Sequence, residues 1–384
     1  MKFNRLIFAN LFRKKIRLLL TVGSFAIALF LFTLLAVVRG AFSRGTELAG
    51  ADRLVVINRV GLINTMPLAY GEKIRQIKGV KYATHNNWFG GVYQDERNFF
   101  PQFVIDPENQ RQVMTEMRVP DDQWKKFLGD RQGAIAGRGT ANRFHWKVGD
   151  RIPLQNALYG STKTWEFNLD GIYTNDKVGG DEIQFWLQWD YFYENAPDAL
   201  NRGQAGWWVL KLDSPDDAVR VGKAIDEGFA NSSYETKTET ESAFQAGFAK
   251  QLGNIQLLIT TIGSVVFFTL LLVTGNTMAI SIRERTGELA VLKAIGFSDR
   301  FVLFFVLAES LVIALFGGLI GLGLAFLAIP VVAVKLNGLL PPLLLSAAAL
   351  GTGVVLAVAV GLASGFLPGI SAMRMRVVDA LRRV

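Results

Sequence analysis

The sequence predicts an α-helical membrane protein with four transmembrane helices and a large α+β extracytoplasmic domain inserted between the first and second helices. Hydrophobic residues make up 50% of the chain and the mean hydropathy is +0.26, which is too apolar for a soluble enzyme. A long stretch of ordinary globular composition separates the first apolar run from the second. Each run exceeds the roughly 20 residues that cross about 30 Å of hydrocarbon. The predicted spans are 18–38, 255–282, 301–329 and 343–367.

The first span is predicted to be a retained anchor and not a cleaved signal peptide. Its apolar core is longer than the roughly 7 to 15 residues of a signal sequence. No small-x-small cleavage site follows it closely.

Lysine and arginine residues near the span ends predict the orientation. Residues 1–17 carry six of them and no acid, 283–300 carry four against three acids, and the tail 368–384 carries four against one. We therefore expect these three segments in the cytosol, with 39–253 and the short loop 330–342 outside. The net charge of +8 then reflects topology, and nucleic acid is not an expected partner.

The outer segment is predicted to contain two lobes. A β-rich run at 54–57 and a helix start after Asp213 indicate a strand and a helix at its two ends. These ends are expected to pack as one α+β lobe, formed by about 51–105 and 206–235. The sequence of about 106–205 predicts an inserted β-rich lobe. The alternative is one continuous domain.

A helical stripe precedes the second span. Phe244, Phe248, Leu252 and Ile255 follow one another at spacings of 4, 4 and 3, so 239–254 is predicted to be a stalk helix that continues into the membrane. An amphipathic helix packed on its own domain is the alternative.

Small residues recur four apart in the last two spans. Gly317 with Gly321, and Gly361 with Gly365, place glycines on one face of each helix. This spacing predicts close helix packing.

Glu309 is the acid inside the third span, and intramembrane carboxylates are functional candidates. It lies roughly 12 to 15 Å from the cytosolic edge at about 1.5 Å per residue. Pairing at a helix interface near the surface is the favoured interpretation, and proton coupling is the alternative.

Catalytic chemistry is not predicted. No P-loop motif occurs in the 384 residues, and there is no cysteine. The only histidines, His85 and His145, lie far apart in the outer segment, so no metal, catalytic residue or cofactor is assigned. A hydrolase site that uses these two histidines is a minor alternative.

The segment 281–297 is a charged helix between two apolar spans, which must lie at a water-facing membrane surface. Gly296 suits the helix end, where a positive φ is often needed, and Ser298 with Asp299 can begin the next helix. The side chains predicted to face a partner's groove are Leu289, Ala290 and Leu292.

This segment and the C-terminal tail resemble the corresponding segments of a known protein family. The sequence of 283–296 is RERTGELAVLKAIG, and the basic tail at 372–382 reads AMRMRVVDALR. Together with the order of the spans, they resemble the MacB/FtsX-like permeases of type VII ABC transporters. The turn at Gly149 and Asp150 is also similar to the periplasmic core domain of that family.

The resemblance implies a coupling helix seated in a separate cytosolic ATPase, which would bind the ATP. It also implies a second permease copy, identical or not, the lipid bilayer, and a periplasmic adaptor or outer-membrane partner. The outer parts of the first two helices would form a stalk. The residues carried over as ATPase contacts are Glu284, Arg285, Glu288, Leu292, Lys293, Ala294, Ile295 and Gly296.

The predicted function is therefore a permease subunit in the cytoplasmic membrane of a bacterium, with both termini cytosolic. It would transmit ATP-driven motion to the outer domain for export or extraction of an unidentified substrate. The alternative is a signalling or scaffold subunit that transports nothing and regulates an external partner such as a cell-wall hydrolase.

Overall fold

The computed structural model describes residues 15–156, 164–197, 203–251, 255–336 and 343–375. The chain divides into two compact units, which are described separately. The sheet unit comprises 41–253 and 333–342, and the helical unit comprises 1–40, 254–332 and 343–384.

The described residues form helices and strands that we number in chain order. The helices are α1 (Lys15–Leu48), α2 (Tyr70–Arg75), α3 (Gln110–Val113), α4 (Asp121–Gly129), α5 (Arg138–Phe144), α6 (Trp189–Asn195), α7 (Ala218–Gly228), α8 (Glu241–Gln251), α9 (Ile255–Glu284), α10 (Thr286–Ala294), α11 (Asp299–Leu336) and α12 (Ala347–Met373). The strands are β1 (Arg53–Asn58), β2 (Met66–Pro67), β3 (Val80–Trp88), β4 (Gln102–Ile105), β5 (Met117–Arg118), β6 (Gly133–Gly137), β7 (Arg151–Gln155), β8 (Thr164–Asn175), β9 (Phe185–Gln188), β10 (Gln204–Ala205), β11 (Trp207–Leu212) and β12 (Thr236–Thr240).

Four helices in the described part of the chain are long and apolar enough to cross a membrane, which agrees with the predicted fold class. They occupy Leu18–Ala41, Leu257–Glu284, Asp299–Ala333 and Ala347–Met373. The fourth begins later than the prediction of residue 343, because the Ser346 hydroxyl accepts a hydrogen bond from the Ala349 backbone N–H at 3.1 Å and caps it.

Gly317 and Gly321 on α11 face α1. A Cβ atom at Gly317 would lie 2.8 Å from the Val22 carbonyl oxygen, and one at Gly321 would collide with the Ala26 carbonyl oxygen. The two backbones therefore approach at a distance that only glycine permits.

Gly361 and Gly365 on α12 face α11. A Cβ at Gly361 would lie 2.8 Å from the Ala314 Cβ, and one at Gly365 would collide with the Ser310 hydroxyl. That hydroxyl donates a hydrogen bond of 2.7 Å to the Gly361 carbonyl oxygen, so the close approach also carries a polar contact between the helices. In each pair the predicted glycine face is used for helix packing.

Ten strands in the described part of the sheet unit form one mixed sheet in the order β12-β1-β11-β3-β4-β9-β6-β8-β5, with β7 paired to β8. The β4–β9 and β6–β8 pairs are parallel, and the other pairs are antiparallel. The predicted boundary between two lobes therefore falls within a single sheet, because β3, β4 and β9 are joined by backbone hydrogen bonds. Residues 106–205 also contain helices α3 to α6, so they are not purely β-rich.

Side chains alternate between the two faces of this sheet, and both faces are buried. Leu54 and Val56 belong to one apolar cluster, whereas Val55 between them belongs to another. Strands covered on both sides, such as β1, β6, β9 and β11, are therefore mostly continuous apolar runs. In β7, by contrast, exposed and buried residues alternate. The largest fully buried side chains of the unit are Trp165, Trp186, Trp208, Tyr173, Phe89 and Phe100.

The described part of the predicted stalk packs on its own domain. Phe244 on α8 contacts the cluster formed by Val55, Val113, Trp207 and Val209. This is the arrangement that the alternative interpretation predicted. The Phe248 side chain, and all of Leu252, lie outside the described residues.

A buried arginine connects the start of α8 to the sheet. The Arg53 side chain is 2% exposed and lies 2.6 Å from both the Glu116 and the Glu241 carboxylates. Burial lowers the pKa of Arg53, but the hydrogen bonds and charges of the two glutamates outweigh it and hold that pKa above its usual range. Glu241 begins α8, and its carboxylate also accepts a hydrogen bond from the Gly50 backbone N–H at 2.7 Å.

Candidate functional site

The candidate site is the short helix α10 between two candidate membrane helices. Arg285 breaks the helical path at the end of α9, with φ −110° and ψ 19°. At the other end, Gly296 adopts a φ of +105°, as the sequence predicted. Its N–H donates to the Lys293 carbonyl, while the Phe297 N–H donates to the Leu292 carbonyl, both at 3.1 Å. These two bonds form a Schellman motif, which stops α10 sharply.

The next helix starts within two residues of this stop. The Ser298 hydroxyl accepts a hydrogen bond from the Phe301 backbone N–H at 3.3 Å, and Asp299 provides a negative charge in the first turn of α11. The predicted helix start is therefore confirmed. Caps at both sides of this turn define the path of α10.

The inner face of α10 is apolar and buried. Leu289 is 6% exposed and Ala290 is fully buried, while Leu292 is half-buried and packs against the same cluster of the helical unit. The sequence assigned these three residues to a partner's groove. The structure corrects this assignment, because these side chains fill the protein's own core.

Arg285 also points inward, in contrast to its predicted role as an ATPase contact. Its guanidinium donates to both carboxylate oxygens of Glu309, at 2.7 and 2.6 Å, and to the Ser281 hydroxyl at 3.0 Å. The side chains are 14% and 5% exposed. A charge at this depth needs a hydrogen-bonded partner, and each residue provides it for the other. Glu309 is thus paired at a helix interface, as the favoured interpretation predicted.

Lys293 is the second predicted contact that is used internally. Its ammonium donates to the backbone carbonyls of Met373 and Met375, at 2.7 and 2.9 Å, and lies 2.7 Å from the Asp299 carboxylate. Only 7% of the side chain is exposed. These carbonyls lie at the C-terminal end of α12, where a positive charge is favoured by the helix dipole.

The outer face of α10 carries acids at its start and apolar side chains at its end. The exposed fraction is 47% for Val291, 71% for Ile295 and 42% for Phe297. Sequence reasoning missed Val291 and Phe297. The exposed residues that it named here are Glu284, Glu288, Ala294, Ile295 and Gly296.

The spacing within this face is helical. Glu288, Val291 and Ile295 follow one another at intervals of 3 and 4, the period of one helix face, and Glu284 precedes them as the last residue of α9. The same period places Arg285 with Leu289 on the buried side. This signal was present in the sequence and would have separated the two faces.

The two histidines lie on different elements of the sheet unit. His85 on β3 lies 3.5 Å from the Asp106 carboxylate and 4.2 Å from the Trp189 ring, measured between ring centroids. Burial lowers the pKa of His85 to about 4, although the charge of Asp106 acts to raise it. His145 ends α5 in the left-handed conformation, with a φ of 58°. Within the described residues, no group of three or more His, Cys, Asp or Glu side chains is placed to hold a metal ion.

The membrane part of the chain has recognisable relatives. Residues 260–377, which contain α10 and the helices on either side of it, match the family model described as FtsX-like permease C-terminal. The chain is an ABC transporter permease-like protein of the MacB/FtsX type. With its candidate membrane helices, this permease-like chain is a multi-pass membrane protein.

Individual relatives cover different shares of it. An uncharacterized ABC transporter permease of Methanocaldococcus jannaschii is 24% identical over 80% of this chain and 77% of its own length. The uncharacterized ABC transporter permease YknZ of Bacillus subtilis is 29% identical over 45% of this chain and 44% of its own length. The macrolide export ATP-binding/permease protein MacB of Neisseria gonorrhoeae is 29% identical over 43% of this chain, which spans 24% of that protein.

Two solved structures are similar to about half of the permease-like chain. The periplasmic region of MacB from Actinobacillus actinomycetemcomitans aligns with a TM-score of 0.37 and 9% identity, and covers 53% of this chain and 94% of its own. The extracellular domain of YknZ from Gram-positive bacteria aligns with a TM-score of 0.35 and 10% identity, and covers 49% of this chain and 100% of its own.

Proposed function

We propose that this chain is the membrane subunit of an ABC transporter and that it passes motion from a separate cytosolic ATPase to the domain on the other side of the membrane. The carrying observation is the outer face of α10, where apolar side chains remain exposed at the end of a helix anchored on its other face. Support comes from the family match over this helix. The motion would drive export or extraction of a substrate.

The outer face suits a helix-in-groove contact. Val291, Ile295 and Phe297 would lie on the apolar floor of the partner's groove, at about 1.5 to 3 kcal/mol for each fully buried side chain. Glu284 and Glu288 would meet basic side chains at one end of the groove. Such charges contribute mainly to orientation and association rate.

The rest of the assembly follows from the same proposal. The excess of Lys and Arg in 1–17 and 368–384 supports a cytosolic location of both termini in the cytoplasmic membrane. ATP would bind in the partner, since no P-loop occurs in these 384 residues, and the chain would use no cofactor of its own. A second permease copy would complete the membrane core.

The test compares two exposed apolar residues on different helices. Ile295→Asp places a charge in the proposed contact, while Val219→Asp, on α7 of the sheet unit, changes a side chain that is 84% exposed. Each variant is purified with a P-loop ATPase taken from a neighbouring gene, and the complex and its ATP hydrolysis are measured. We expect at least a roughly tenfold loss of complex, equal to about 1.4 kcal/mol, for Ile295→Asp alone. Equal complex formation by the two variants would refute the proposed docking face.

A further inference from the structure

The inner side of α10 carries two polar attachments at opposite ends of the helix. At its start, Arg285 reaches Glu309, about ten residues into α11. At its end, Lys293 reaches Asp299 and the last backbone carbonyls of α12. Each attachment therefore joins α10 to a helix that is a separate candidate membrane span.

We propose that Arg285 and Lys293 are positioning residues that clamp α10 to α11 and to α12, so that a displacement of α10 is carried into both spans. The purpose of the clamps rests on the proposed function. The contacts that form them lie within this chain and need no partner. This role reverses the sequence-based assignment, in which the same two cations contact the ATPase.

The first clamp is charge-assisted and largely shielded from water. A single Arg285 nitrogen, Nη2, lies within hydrogen-bond distance of both carboxylate oxygens of Glu309 and of the Ser281 hydroxyl on α9. Charge-assisted bonds of this length are stronger than neutral ones, and a low local dielectric strengthens them further. The contact is made about ten residues into α11, beyond its first two turns. A push on α10 would therefore reach the body of α11 and not only its frayed end.

The second clamp acts on the main chain of α12. Lys293 donates to the carbonyls of Met373, the last residue of α12, and of Met375 just beyond it, which have no partner inside the helix. The same ammonium is paired with Asp299, so the end of α10, the start of α11 and the end of α12 meet at one nitrogen atom. Apolar contacts slide more readily than such directed bonds, which fix both distance and direction.

The experiment measures the clamps without any ATPase, so its failure is distinguishable from failure of the proposed function. The chain contains no cysteine, so spin labels can be placed on paired cysteines without removing native ones. The full-length protein is reconstituted in lipid nanodiscs, and the distance distribution between two nitroxides is recorded by double electron–electron resonance. One label pair uses Ala294→Cys and Arg374→Cys, which reports α10 against α12. The other uses Val291→Cys and Phe304→Cys, which reports α10 against α11.

Lys293→Met removes the second clamp, and the double change Arg285→Met with Glu309→Met removes the first without leaving a buried charge unpaired. Arg283→Met is the matched control, because it removes an exposed cation from the same turn. We expect Lys293→Met to broaden and shift the α10–α12 distance. The double variant should broaden and shift the α10–α11 distance and leave the α10–α12 distance unchanged. Distributions identical to those of the control would overturn the proposal, as would broadening of the α10–α12 distance by the double variant.

The complex with the ATPase gives a second readout. The clamp variants should bind the ATPase as well as the unchanged chain does, but should lose its stimulated hydrolysis. Loss of binding by Lys293→Met would instead return this residue to the docking contact and contradict the clamp.

Discussion

Single residues in this chain owe their roles to partners that are distant in sequence. Arg285 and Glu309 are 24 positions apart, and Arg53 and Glu241 are 188 positions apart. Arg53 is buried and Arg285 is largely shielded from water, and a charge removed from water must be neutralised where it lies. The role of such a residue is therefore defined by the fold and not by its neighbours along the chain.

Arg53 gives a stability prediction at this scale. Arg53→Met leaves the Glu116 and Glu241 carboxylates close together without a cation, and we expect a loss of about 3 to 5 kcal/mol from the sheet unit. Thermal unfolding of the full-length protein measures it. Arg59→Met is the control, since Arg59 pairs with Glu235 but its side chain is 69% exposed. A shift no larger than that of the control would contradict the structural role of Arg53.

His85 gives a pH prediction. Its pKa is about 4 when folded, against 6.5 for the unperturbed group, so the unfolded state binds the proton more readily between these values. Stability is therefore present above pH 6.5 and falls as the pH falls toward 4, by roughly 3 kcal/mol. His85→Gln should flatten this dependence of the melting temperature on pH.

The control for that measurement is His145→Asn, because asparagine tolerates the left-handed backbone of this exposed residue. Burial raises the pKa of Asp170 and of Asp181, and these two groups act in the opposite direction as the pH falls. The comparison is therefore made between variants over the same pH range. A slope unchanged in His85→Gln would show that His85 is not the group responsible.

At the scale of elements, the sequence predicted what depends on local pattern. The apolar runs were long enough to identify the spans, and glycine spacing identified the packed faces of α11 and α12. The end of α10 at Gly296 also followed from local chemistry. Strand pairing did not, because β1 pairs with β11 and β12, which lie more than 140 residues later. Non-local pairing leaves no periodic signal in either strand.

At the candidate site too, local pattern predicted one property of α10 and missed another. Charge and the family resemblance placed Arg285 and Lys293 among the ATPase contacts. The helical period instead places Arg285 beside Leu289 on the buried side. The depth of these cations depends on Glu309 and on the carbonyls of α12, which no local pattern reveals. Sequence reasoning therefore located the helix but not its orientation.

Helix packing gives a prediction at the element scale. Gly317→Val inserts a branched side chain where α1 is already in contact, and overpacking of this kind costs about 1 to 3 kcal/mol. Gly323→Val, on the same helix, meets nothing within 4 Å and is the control. We expect only the first variant to lower the melting temperature in nanodiscs. Equal melting temperatures would show that α1 and α11 can separate without loss of stability.

At the scale of the whole molecule, the predicted orientation in the membrane gives a testable prediction. The absence of cysteine allows single introduced thiols to report it. Ile63→Cys lies in an exposed loop of the sheet unit, with 96% exposure, and Ile295→Cys lies at the end of α10, with 71%. A membrane-impermeant maleimide should label the first in intact spheroplasts, and the second only after permeabilisation. Labelling of both before permeabilisation, or the reverse order, would contradict the predicted topology.

The contact between Lys293 and α12 has a consequence for how such a protein can evolve. The lysine holds main-chain oxygens of Met373 and Met375, and every amino acid supplies that oxygen. Substitutions at these two positions can accumulate without a compensating change at Lys293. A comparison of related sequences that searches for paired changes would therefore not detect the contact between Lys293 and α12, although this contact connects two spans.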